Sequence, residues 1–200
     1  MRSRIYAFVT VLAVAALTAA CTSTVSGHGA AIGAGPGTNP SGSVPAGFPS
    51  NASSGAAGTG VSFSYPQGHF RATFPARPVT SSEPGSVAGA SFTLYLARAQ
   101  VNNAPTVLAC EDISVHLPPD QDDDTLRGAV GGFEGSSGLT LTDQSITTFR
   151  GHVARQAHFA SPQGDDYTLL AALFSDQRLY LFFAPSGAMF DTLTSSFQPI

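Results

Sequence analysis

The chain has no lysine, no tryptophan and two cysteines in 200 residues. Each shortage excludes something. All nine cations are arginines, and residues 61–200 hold seven of them against all thirteen acids, a balance of −6 (7 minus 13). A stretch of that sign has no basic patch, which excludes nucleic acid as a partner and argues against direct docking on an anionic lipid surface. Two cysteines, Cys21 and Cys110, do not make a disulfide framework. Cys110 lies in an apolar strand context and is followed by Glu111 and Asp112. That is the wrong electrostatic sign for a reactive thiolate, so it reads as a small buried hydrophobe. Long apolar runs are also missing, apart from one at the start.

That run extends from Ile5 to Leu17, behind Arg2 and Arg4 and ahead of Thr18-Ala19-Ala20. A basic n-region, a short h-region and small residues form a secretory leader, and the run is too short to stay as a membrane span. Cys21 directly after the small residues resembles the lipobox of bacterial lipoproteins, with Leu17 one place early and Thr18 where Leu or Val is commoner. The resemblance implies that residues 1–20 are a signal peptide and that Cys21 is diacylated and becomes the new N-terminus. The protein is then lipid-anchored at the cell membrane on its extracytoplasmic side. An ordinary signal-peptidase site followed by an incidental cysteine is the alternative. After Cys21, residues 22–60 are mostly Gly, Ser, Ala, Thr and Pro, with Val25, Ile32, Val44 and Phe48 as their larger apolar residues and no acid, lysine or arginine. Such a segment buries too little apolar surface to offset its ordering entropy. Residues 21–60 are therefore expected to be a flexible tether reaching roughly 35 Å from the anchor.

Residues 61–200 have the size of one domain. Phe70, Ala72 and Phe74 alternate as in a strand, and Phe92, Leu94 and Leu96 do so again. Asn102-Asn103 predicts a hairpin into a strand over 106–117, where Val107 and Leu108 compete for the inward face and a bulge near Glu111 would reconcile them. Pro118-Pro119 stops that strand, and Leu126, Ala129, Val130 and Phe133 mark one helical face. Gly135 or Gly138 ends the helix. Strands over 139–148 and 153–159 flank Arg150-Gly151, and nearly continuous apolar strands over 167–174 and 179–184 follow. Pro185-Ser186 opens a last helix with Phe190, Leu193 and Phe197 as its stripe. The order implies an α+β domain, an antiparallel β-sheet with helices packed on it. The motif Gly68-His69-Phe70-Arg71-Ala72-Thr73-Phe74-Pro75, together with Arg178-Leu179-Tyr180 and the closing Ser195-Ser196-Phe197, resembles the PsbP-like α/β/α sandwich superfamily. That group includes actinobacterial lipoproteins, which implies an actinobacterial source but carries over no functional residue.

Chemistry is sparse. Counted from Asp120, the acidic cluster at Asp122, Asp123 and Asp124 has Thr125 where an EF-hand needs glycine and Gly131 where it needs glutamate. It reads instead as acids at a helix N-terminus. His152 and His158 lie about 20 Å apart along a strand and cannot share an ion. Glu111 and Asp112 point to opposite faces and cannot act as a carboxylate pair. A nucleophile elbow and a phosphate loop are both absent from the sequence. The expectation is a non-enzymatic accessory or interaction protein of the envelope, without cofactor or metal, that meets a protein partner. One alternative is a binding module for a lipid or other apolar small molecule, its pocket lined by some of the fourteen phenylalanines. A lesser one is a hydrolase or metal-dependent enzyme assembled from distant residues such as His116, Asp120 and His158.

Overall fold

A computed structural model describes residues 60–87, 90–117, 119–174 and 178–200. The expected signal peptide, Cys21 and the expected tether up to residue 59 lie outside the described residues, as do residues 175–177. The chain runs β1 (Val61–Tyr65), β2 (Phe70–Phe74), β3 (Val79–Val87), β4 (Ala90–Val101), β5 (Ala104–Ile113), a 3-10 turn (Pro119–Gln121), α1 (Asp122–Ser137), β6 (Thr140–Phe149), β7 (His152–Ala160), β8 (Asp166–Phe174), β9 (Arg178–Pro185), α2 (Ala188–Ser196) and β10 (Gln198–Pro199). Seven strands form one antiparallel sheet in the order β3-β4-β5-β9-β8-β7-β6, and β1-β2-β10 form a second, small one.

The apolar runs of β5, β9 and β8 explain the layers. Strands buried on both faces need cover on both faces. Val107, Ala109, Leu169, Leu181 and Phe183 point to one side, where Leu126, Ala129, Val130 and Phe133 of α1 pack on them. Leu108, Cys110, Leu170, Tyr180 and Phe182 point to the other, against Phe190 and Leu193 of α2, Phe197 beyond it, and Phe70 and Phe74 of β2. Val107 and Leu108 are thus both inward, each toward its own layer, and the expected bulge near Glu111 does not occur. β5 pairs without a break to β4 and β9. The irregularity lies instead in β6, between Leu141 and Asp143.

Other expectations move at their ends. The strand expected over 106–117 stops at Ile113, where the Ser91 N–H donates to the Ser114 hydroxyl at 3.1 Å in place of a backbone carbonyl. Val115 and Leu117 still pack on the core, from an irregular segment. α1 ends at Gly138, whose φ of 70° is the left-handed cap that glycine takes without strain. The final helix starts at Ala188, after Gly187 at φ 87°. The sequence of strand β3 has no apolar alternation to predict it, and its described side chains are mostly exposed.

The ends of the domain are tied together at one atom. The His69 carbonyl accepts the Ile200 N–H and the Tyr180 hydroxyl, both at 3.0 Å. Beside it, Phe197 is completely buried, with its ring 5.0 Å from Tyr180 and 4.9 Å from Phe182. Truncating Phe197 to alanine should cost about 3–5 kcal/mol and lower the melting temperature by roughly 10 °C or more. Thermal unfolding followed by circular dichroism measures it, and a change of only a degree or two would remove this ring from the centre of the layer.

Candidate functional site

Helix α1 lies over β7, β8 and β6, leaving the β4–β5 end of the same sheet face without a helix above it. Where α1 ends, a cleft of about 520 Å³ opens between its last turn and the sheet. Such a volume falls in the range that holds small organic molecules. Its floor is aromatic: Tyr167 of β8 stacks on Phe183 of β9 at 5.2 Å with planes 15° apart, and Phe133 of α1 lies 4.7 Å from Phe183. Val107, Pro105 and Leu139 extend the apolar lining, while Arg98, Asn103, Ser137, Gln163 and Asp165 stand around it.

One wall is a turn built to hold its shape. The Ser161 hydroxyl oxygen accepts the N–H groups of Gln163 and Asp165 at 3.2 and 3.0 Å, and the Ser161 N–H donates to the Asp165 carbonyl at 2.8 Å. Gly164, at φ 90°, supplies the left-handed residue that this turn requires. Burial, aided by the nearby Asp165 carboxylate, raises the Tyr167 phenol above its ordinary value. The phenol therefore stays protonated at neutral pH and offers a hydrogen-bond donor beside an apolar floor.

Helix α1 is held to the sheet by charge as well as by packing. Arg155, buried on β7, donates to Asp123 in the first turn of α1 and to Gln144 Oε1 of β6 at 3.2 Å. The hydrogen bond from Arg155 holds the Asp123 carboxyl below the usual carboxylate range. The acidic cluster thus serves the helix N-terminus and a buried arginine.

A second polar group sits on the opposite face. Asp112 accepts from Arg178 Nε at 2.7 Å, and its other oxygen lies 3.2 Å from His69 Nε2. Its chain neighbour Glu111 points the other way, into the α1-side layer between Leu94 and Leu179. Glu111 is 1% exposed, and neither carboxyl oxygen has a hydrogen-bond partner among the described residues. Burial pushes this carboxyl up to about 7.

The residues of the enzymatic alternative are not brought together. His116 is exposed in the segment after β5, and Asp120 sits in the 3-10 turn before α1. His158 is on the α2-side face, with Nδ1 3.3 Å from Thr168 Oγ1. His152 stacks on Phe174 at 4.0 Å, and Cys110 is buried. Among the described residues, no three His, Cys, Asp or Glu side chains converge as a metal site. No described helix is long and apolar enough to cross a membrane. Sequence reading did not single out Tyr167, Phe183 or the 161–165 turn as a site. Serine and glycine with Asp165 mark that turn, but nothing in the sequence places it beside the end of α1.

No protein-family model matches the chain, and a search of curated proteins found no match. Among solved structures, it is similar to the solution structure of cyanobacterial PsbP (CyanoP) from Synechocystis sp. PCC 6803. The match has 14% identity and a TM-score of 0.45, and covers 75% of this chain and 99% of that one. No functional property is transferred from it.

The Glu111 environment has a pH signature. The unfolded chain releases this proton near 4.5, whereas the folded chain keeps it to about 7. The folded state binds more protons across that window, so stability falls as pH rises from about 4.5 to about 7 and is then level. The loss is about 3 kcal/mol. Urea midpoints measured between pH 5 and 8 should decline for the wild type and lose most of that slope in Glu111→Gln. An unchanged slope in the variant would assign the effect elsewhere.

Proposed function

We propose that the chain is a non-enzymatic accessory protein of the bacterial cell envelope, lipid-anchored through Cys21, whose domain works by binding an apolar small molecule in the cleft beside α1. One observation carries the reading: an open cleft of about 520 Å³ with a stacked Tyr167–Phe183 floor and a hydrogen-bonded wall. An aromatic floor gives affinity by removing apolar surface from water. The polar groups at the rim give orientation, with the Tyr167 hydroxyl and Arg98 as donors and Asp165 as acceptor. Pre-formed walls reduce the ordering cost of binding.

The cleft favours ligand binding over docking through an apolar surface. The large hydrophobic side chains exposed among the described residues are Val61, Val79, Ile146 and Ile200, each on a different segment. The anchor reading rests on the leader and on Cys21 after Thr18-Ala19-Ala20. The tether over residues 22–60 would then hold the cleft within tens of ångströms of the membrane.

Two experiments test the two halves. The full-length protein, purified gently from its natural host, should carry an extra mass in native mass spectrometry that is lost on denaturation. Leu139→Trp, which fills the cleft from a partly buried wall position without adding charge, should reduce its occupancy about tenfold while the circular dichroism of the fold is retained. A bare wild-type mass, with no uptake of a hydrophobic fluorescent dye that the variant excludes, rejects the ligand reading. Separately, Cys21→Ser should move the protein from the membrane to the soluble extracytoplasmic fraction. Retention of this variant in membranes would overturn the anchor.

A further inference from the structure

The seven-stranded sheet has two edges, and they are defended differently. β3 contains Pro84, which removes an N–H, and Gly85, over which the Phe92 ring lies so closely that a Cβ would meet it at 2.2 Å. It also contains Glu83, and the Ser81 carbonyl already accepts the Tyr65 hydroxyl at 3.2 Å. Proline, charge and local coverage are devices that stop an edge from recruiting another strand. β6 has almost none of them. Its ten residues, TLTDQSITTF, include no proline, glycine or cation and a single acid, Asp143. Its register with β7 is unbroken from Asp143 to Phe149.

The hairpin geometry shows which groups are on offer. Arg150 and Gly151 have φ of 53° and 84°, so they close a two-residue turn and Phe149 faces His152 as the pair that exchanges hydrogen bonds. Alternate residues then turn their backbone outward: Thr148, Ile146 and Gln144. Among the described residues, no backbone hydrogen bond from another segment reaches these groups.

We propose that β6 pairs antiparallel with β6 of a second copy about a two-fold axis at Ile146, joining two seven-stranded sheets into one. In that register Ile146 faces its own mate, Gln144 faces Thr148 of the other copy, and each outward pair exchanges two main-chain bonds. Charge favours the same arrangement. Asp143 is exposed near one end of β6 and Arg150 is exposed just beyond the other. Antiparallel pairing at Ile146 brings each Asp143 beside the Phe149-Arg150 step of the partner, and a parallel pairing separates them. Ile146, 59% exposed in the monomer, is covered by its mate. An isologous contact of this kind closes on itself and leaves β3 as the outer edge at both ends of the joined sheet.

Cysteine cross-linking of the full-length chain in membranes tests this directly. Paired Cα atoms at an outward position lie about 5.5 Å apart, within the span of a disulfide. Ile146→Cys under mild oxidation should give a disulfide-linked homodimer at least tenfold more abundant than Ser145→Cys, whose side chain points to the other face and is not opposite its own mate. Adding Thr148→Pro removes an outward N–H and no bond to β7, so the far-ultraviolet circular dichroism should be retained while the dimer is lost. Asp143→Arg should weaken the cross-link. Folded Ile146→Cys that stays monomeric overturns the proposal. So does a dimer unaffected by Thr148→Pro, a stronger cross-link at Gln144→Cys, or a cross-linked mass belonging to a different protein. The test does not involve the cleft, so ligand binding and strand pairing can fail independently.

Discussion

Burial of the central strands on both faces is the constraint from which the architecture follows. β8 and β9 are almost uninterruptedly apolar, and their alternate side chains point to opposite layers. Each such side chain contributes about 1.5–3 kcal/mol only if its own face is covered. A single helix cannot do this for both faces, so α1 takes one and α2 with the small sheet takes the other. The small sheet is in turn completed by the last residues of the chain. β10 pairs with β2, the Ser196 hydroxyl accepts the Thr73 N–H at 2.8 Å, and the His69 carbonyl receives the Ile200 N–H. The second layer is thus built from both ends of the domain and cannot form until β9 is in place. Much of the stability therefore rests on contacts between residues far apart in sequence.

The strands and helices that bury apolar side chains at a regular period were legible in the sequence; elements without such a period were not. Phe70, Ala72 and Phe74 declared β2, and Leu126, Ala129, Val130 and Phe133 declared α1. β3 is strand because β4 presents it a free edge, and side-chain patterning plays no part. The ambiguity between Val107 and Leu108 had the same origin. Alternation identifies an inward face only when the other face meets water, and here neither does. The candidate site was less legible still. Its floor comes from β5, β8, β9 and α1, and its wall from a turn whose Ser161 and Asp165 look like any polar loop. The convergence is a property of register, which the sequence does not spell out.

Charge placement shows how little a residue type says without its face. Glu111 and Asp112 are adjacent and chemically alike. Asp112 turns toward Arg178 and His69, and Glu111 turns into a layer of leucines. The first is a partnered surface carboxylate, and the second keeps its proton up to about pH 7 because burial penalises its charged form. Arg155 makes the converse case. A buried arginine on an apolar face is costly unless its charge is met, and the acids at the start of α1 meet it. The acidic cluster that invited a calcium reading thereby fixes one end of the helix over β7, and so decides where the other end stops.

The position of that other end accounts for the cleft. Sixteen helical residues span about 24 Å, while seven strands spread over about 29 Å and a helix with its side chains is only about 10–12 Å across. One helix therefore cannot cover the α1-side face. With α1 pinned over β7 by Arg155 and Asp123, the remainder must be filled by other chain or left open. Val115 and Leu117 help to fill it at the end where β5 leaves the sheet. At the opposite end, past Gly138, the chain turns directly into β6 and supplies only Leu139. Val107, Tyr167 and Phe183 lie where the helix's cover ends, with Phe133 its last ring over them and the cleft opening beyond it. The rigid 161–165 turn borders this gap without closing it. The cleft is thus a necessary consequence of covering a wide sheet with one helix, placed at the end where the chain has no residues to spare.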